Sequence, residues 1–129
     1  MVDVDLNVEG QLVTRVCFDA ALTILTSGDC ELRVETDSIL KTPAGDLVRF
    51  DPESPAAAAI HLAQLVRDSV ALADVGNGGN LEVTFESGAQ LIVAPHAEYE
   101  AWGLVGPNGR RVTCLPGGEI AFWGERGSS

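Results

Sequence analysis

Cysteine, basic residues and aromatic side chains are all scarce in this chain, and each scarcity removes a class of function. The three cysteines, Cys17, Cys30 and Cys114, are far apart, odd in number and without a CxxC pair, so a complete disulfide framework is excluded. Reduced thiols and a cytoplasmic location are the expectation. No uninterrupted apolar run approaches the ~18 residues of a membrane-spanning helix, and no basic segment followed by an apolar one opens the chain, so neither membrane nor leader is expected. Eight basic residues face nineteen acidic ones, for a formal net charge of -11, and the acids are spread from Asp3 to Glu125. Only Arg110 and Arg111 are adjacent cations, so a phosphate backbone would be repelled and nucleic acid is not an expected partner. A basic protein partner fits this field, and solubility alone also accounts for it.

What is present is enough apolar material for a core. With 46% hydrophobic and 21% charged residues over 129 positions, the composition is that of one globular domain spanning residues 1–129. Alternation predicts strands over residues 11–19 and 22–26, then a turn at Ser27-Gly28-Asp29. It is clearest over 30–35, where Cys30, Leu32 and Val34 interleave with Glu31, Arg33 and Glu35. A similar hairpin follows at 81–86 and 89–93 around Ser87-Gly88. Between the hairpins, Asp51-Pro-Glu-Ser-Pro55 has the chemistry of a helix start, and the residues 76–80 that of a helix end, which predicts a helix over about 55–74. At 100° per residue Ala59, Leu62, Val66, Val70 and Ala73 form its core face, and His61, Gln64 and Asp68 lie opposite. Leu65 and Leu72 fall beside the polar stripe, so a loop over 40–49 or a second copy of the chain is expected to cover them. The last third reads as a meander over 99–105, 110–115 and 119–123, with a frayed tail over 124–129. The expected fold is therefore α+β, with antiparallel hairpins packed on one central helix.

No chemistry-bearing motif stands out. His61 and His96 lack short ligand spacing to any cysteine, so no metal site is expected. Each cysteine falls inside a predicted strand without a neighbouring base, which reads as structural packing. The glycines at 76–79 follow a predicted helix and lack the Lys-Ser/Thr of a phosphate loop, so they read as a cap. Glu98 and Glu100 flank Tyr99 on what alternation predicts to be the solvent side of a strand. No cofactor and no catalytic residue is assigned. The aromatics gather in the C-terminal third, where Tyr99, Trp102 and Trp123 serve either a packing centre or a binding surface.

The segments Glu98-Tyr-Glu-Ala-Trp102, Gly106-Pro-Asn-Gly109, Val112-Thr-Cys-Leu-Pro-Gly-Gly-Glu119 and Ala121-Phe-Trp123 resemble the C-terminal signature of a family of small uncharacterised actinobacterial proteins. The resemblance implies a cytoplasmic bacterial setting and carries no activity or site. Size and acidity are similar to those of immunity proteins, an analogy of form only. Three functions stay open. The leading one is a non-enzymatic protein-binding module, immunity-type or regulatory. A second is a small-ligand-binding or enzymatic domain with a pocket between helix and sheet lined by His61, Tyr99 or Trp102. The third is a structural homodimer joined through Leu65 and Leu72.

Overall fold

The computed structural model describes residues 6–123. Short strands separated by tight turns dominate them: β1 Val13–Phe18, β2 Leu22–Thr26, β3 Glu31–Val34, β4 Ser38–Lys41 and β5 Leu47–Phe50 precede α1 Ala59–Ala63, the one α-helix among the described residues. After it come β6 Val70–Val75, β7 Leu81–Phe85, β8 Gln90–Val93, β9 Trp102–Val105, β10 Arg111–Cys114 and β11 Ile120–Trp123. They form a six-stranded sheet in the order β1-β2-β3-β9-β10-β11 and a five-stranded sheet in the order β5-β4-β8-β7-β6. All pairings are antiparallel.

The expected α+β fold with hairpins on a central helix is therefore corrected to a mostly β architecture of two sheets. The predicted helix over 55–74 contracts to a 3-10 turn at Pro55–Ala57 and the short α1. Arg67 then takes a left-handed conformation, φ 78°, which ends any helical path, and Val70 begins a strand paired with β7. The glycines at 76–79 are the hairpin turn between β6 and β7, not a helix cap. Left-handed glycine serves both motifs, so the same residues signal either one. The loop expected over 40–49 is mostly the β4–β5 hairpin. The strand expected from Tyr99 begins only at Trp102, so Glu98 and Glu100 are exposed on a bend rather than on a strand. The tail over 124–129 lies outside the described residues.

Alternation places one row of each strand in a common core. Leu22, Val34, Trp102 and Cys114 from the larger sheet meet Leu40, Leu81, Leu91 and Val93 from the smaller, with Leu62 and Leu65 from the α1 region joining them. Burial of each large side chain stabilises by roughly 1.5–3 kcal/mol, and that is the driving force for stacking the sheets. Along one side the sheets are also hydrogen-bonded. Val13 N–H donates to Asp68 O at 2.8 Å, Arg67 N–H to Val13 O at 2.8 Å and Val70 N–H to Gln11 O at 2.9 Å, so β1 runs into the start of β6. The Glu9 carboxylate accepts the Ala73 N–H of β6 at 3.1 Å, occupying an amide on that strand edge.

At one end the sheets are locked by backbone contact. Trp102, fully buried on β9, donates its indole N–H to Gly79 O at 2.9 Å across the sandwich. The turns at 76–80 and 115–119 touch main chain to main chain. A Cβ on Gly79 would lie 2.5 Å from Gly118 O, and one on Gly118 would collide with the Gly78 carbonyl. Both glycines have positive φ, 94° and 96°, so conformation and space alike require them.

Candidate functional site

The chain passes from the larger sheet to the smaller through residues 35–37 and returns through residues 94–101. The two crossovers lie side by side, because Glu35 N–H donates to Ala101 O at 2.9 Å. The β10–β11 turn holds the second crossover, with Gly117 N–H donating to His96 O at 2.8 Å. Asp51, just beyond β5, completes this end of the molecule. Its Oδ1 accepts Glu53 N–H at 2.9 Å and its carbonyl accepts Ser54 N–H at 2.9 Å, a turn that projects Glu53 beside it.

Two adjoining grooves open here. One, of about 320 Å³, is lined by Asp37, Ile39, Arg49, Asp51, Ile92 and Ala94 among others. Its neighbour, about 310 Å³, is lined by Glu35, Asp37, Asp51, Glu53, His96 and Tyr99 with Thr36, Ala94 and Pro95. Asp37, Asp51 and Ala94 border both, so the two form one depression with an apolar and an acidic part. The β4–β5 register explains the acidic crest. Its last pair is Ser38 with Phe50, so Asp37 and Asp51 flank the end of the ladder and both border the two grooves.

Cationic compensation is thin. Among the described residues one ion pair forms, Arg33 with Glu35 at 3.8 Å, between side chains 48% and 39% exposed. An exposed pair of that kind contributes little. Asp37, Asp51 and Glu53 have no ion-pair partner among the described residues. His96 and Tyr99 form a tilted ring pair with centroids 4.9 Å apart, and Glu98 N–H donates to His96 Nδ1 at 3.0 Å, which leaves Nε2 to carry the proton of the neutral ring. Thr36 Oγ1 is buried without a hydrogen-bond partner among the described residues, an uncompensated polar atom beside the acidic part.

The residues singled out from sequence scatter. Tyr99, 63% exposed, lies in the acidic part of the depression. Trp102 is core, and its indole serves the inter-sheet lock. His61 is half-buried on α1 and lines neither groove. Leu65 is 2% exposed and covered internally, whereas Leu72 is 54% exposed on β6, so the two do not form one apolar patch. An apolar space between the sheets, lined by Leu6, Val8, Ile24, Phe85 and Leu104, amounts to about 20 Å³, far below the roughly 300 Å³ of a ligand pocket. Asp37, Asp51 and Glu53 were not singled out as site residues, and His96 only as a histidine without metal-ligand spacing, because together they come from three separate connections. The one sequence signal for them was the acidic spread itself.

Cys17, Cys30 and Cys114 are free thiols. Burial pushes the Cys114 thiol above its ordinary pKa, against a smaller opposing effect of a hydrogen bond with the Ala101 backbone. Among the described residues no group of three or more His, Cys, Asp or Glu is placed to hold a metal ion, and no helix is long and apolar enough to cross a membrane. Residues 4–124 match the pattern of a family described as a family of unknown function (DUF6188), and the chain belongs to that family. No curated protein and no solved structure matches it.

Proposed function

We propose, taking membership of that family as the premise, that the chain is a non-enzymatic protein-binding module of immunity or regulatory type, acting in the cytoplasm on a basic partner. The observation that carries this reading is the depression at the crossover end, where Asp37, Asp51 and Glu53 stand without ion-pair partners among the described residues. A lysine or arginine entering it meets Asp37, Asp51 and Glu53 together. It also meets Tyr99, an aromatic ring of the kind whose face attracts a cation. The net charge of -11 adds long-range attraction and speeds encounter.

The test is a titration of a lysine-rich and a glutamate-rich peptide of equal length at low and physiological salt. Binding of the basic peptide alone, weakening as salt rises and weakening again in Asp37→Asn/Asp51→Asn, supports the reading. Equal binding of both peptides, or indifference to salt, overturns it.

A further inference from the structure

The outer face of the smaller sheet carries two cross-strand rows whose charges are segregated. One row runs Arg49, Ile39, Ile92, Glu82, Asp74 from β5 to β6, and the row beside it begins at Leu47 on β5 and ends at Leu72 on β6. Both follow from the register, because residues paired across a ladder point to the same side, and the alternate residues Leu40, Leu91 and Val83 fill the core. The row ends are exposed, Leu47 to 65% and Leu72 to 54%, while Ile39 and Ile92 in the middle are half-buried. Two cations, Lys41 and Arg49, stand on the β4–β5 side, and two carboxylates, Glu82 and Asp74, on the β7–β6 side. None of the four has an ion-pair partner among the described residues. Glu82 and Asp74 are also directly paired across β7 and β6, two like charges side by side whose juxtaposition is unfavourable until a cation reaches them.

We infer that this face pairs with a second copy of the chain about a twofold axis running along β8. The pairing goes beyond the protein-binding reading and does not rest on it. Rotation about β8 lays β5 of one copy over β6 of the other and keeps each residue at its own height along the strands. Arg49 then meets Asp74 of the second copy, Leu47 meets Leu72, and the two Ile92 side chains meet at the axis. A twofold axis across the strands would instead set Leu72 on Asp74 and Leu47 on Arg49, so the pattern selects the first. A foreign basic chain suits Glu82 and Asp74 but is repelled by Lys41 and Arg49, and an acidic chain meets the reverse. A copy of this sheet presents both signs in the matching order. Five strands with two outward residues each fall below the roughly 20–30 residues a side of a standard interface, so the dimer is weak and depends on concentration. The acidic part of the depression shares no residue with the two rows, and the second copy covers only the apolar part at Ile39, Arg49 and Ile92.

The test is sedimentation equilibrium of the full chain at physiological salt, from about 10 μM to about 1 mM, a range that spans weak association. Dimerisation should weaken about tenfold in Arg49→Asp and again in Asp74→Arg. It should return to within about threefold of the unaltered chain in the double variant, where the two charges have exchanged places. The directions discriminate, because Arg49→Asp makes the chain more acidic and Asp74→Arg makes it less so. If net charge alone governed association, the first would weaken it and the second strengthen it, and that result overturns the pairing. Both positions are exposed, so an unchanged unfolding midpoint checks that each variant folds. A strict monomer at about 1 mM, or association that grows past a dimer, overturns the second copy as occupant. A dimer indifferent to all three variants overturns this face as the contact. Each of these failures leaves the acidic part of the depression to be judged by its own peptide titration.

Discussion

Adding one methyl group at Gly118 should destabilise the protein far more than adding one at Gly117, although the two are neighbours in one turn. Both have positive φ, 86° at Gly117 and 96° at Gly118, so alanine at either pays the left-handed penalty of about 1–2 kcal/mol. At Gly117 nothing among the described residues lies within 4 Å of the added carbon, and the cost ends there. At Gly118 the carbon collides with the Gly78 carbonyl and sits 3.5 Å from Pro95 Cβ. Main chain has to give way, and forcing atoms into a filled site costs about 1–3 kcal/mol more. Displacing that turn also draws Gly79 O from the Trp102 indole, a bond of about 1 kcal/mol. The expected losses are about 1–2 kcal/mol for Gly117→Ala and about 3–5 kcal/mol for Gly118→Ala, read from urea unfolding with an unchanged slope. Equal losses would refute the claim that the two sheets are locked by contact between their turns.

Leu65→Ser should cost about 3–5 kcal/mol and Leu72→Ser less than about 0.5 kcal/mol, because one side chain is buried and the other stands on a solvent face; similar midpoints for the two variants in urea would contradict their placement. Thr36→Val replaces a buried, unpaired hydroxyl by a methyl of equal size. It should leave the unfolding midpoint unchanged or raised by up to about 1 kcal/mol, and a loss of more than that would mean the hydroxyl is bonded. The raised thiol pKa of Cys114 means that the folded state holds this proton more tightly than the unfolded chain does. Stability is then complete below the ordinary thiol range, about pH 8.5, and falls as pH rises through the folded value. Cys114→Ala should flatten that alkaline decline, and an identical pH profile would assign the loss elsewhere.

Strand positions were legible wherever polar and apolar residues alternate across a half-buried surface. Residues 30–35 and 81–93 show this plainly, and β3, β7 and β8 formed there. The helix over 55–74 was misread because its apolar spacing suits two structures. Val70, Ala73 and Val75 are buried on one face of β6 around a bulge, yet Val70 and Ala73 also sit three apart, as on a helix. Arg67 breaks the helical path with a positive φ, which no propensity assigns to arginine. The turn at 76–80 announced a reversal of the chain, but a glycine pair does not say whether a helix or a strand comes before it. The depression was illegible for another reason. Asp37, Asp51 and His96 come from three separate connections, and only the pairing of β4 with β5 and β8 sets them side by side.

The measurement that tests the account most directly is the affinity of a lysine-bearing extended peptide for the full chain against Asp37→Asn/Asp51→Asn, at two salt concentrations. If the crossover end receives a basic partner, the unaltered chain binds the peptide and loses affinity with salt. The variant then binds about tenfold or more weakly at low salt and responds to salt less. Equal affinities for the two proteins, with the same salt slope, would show that the acidic depression is not where a basic partner binds.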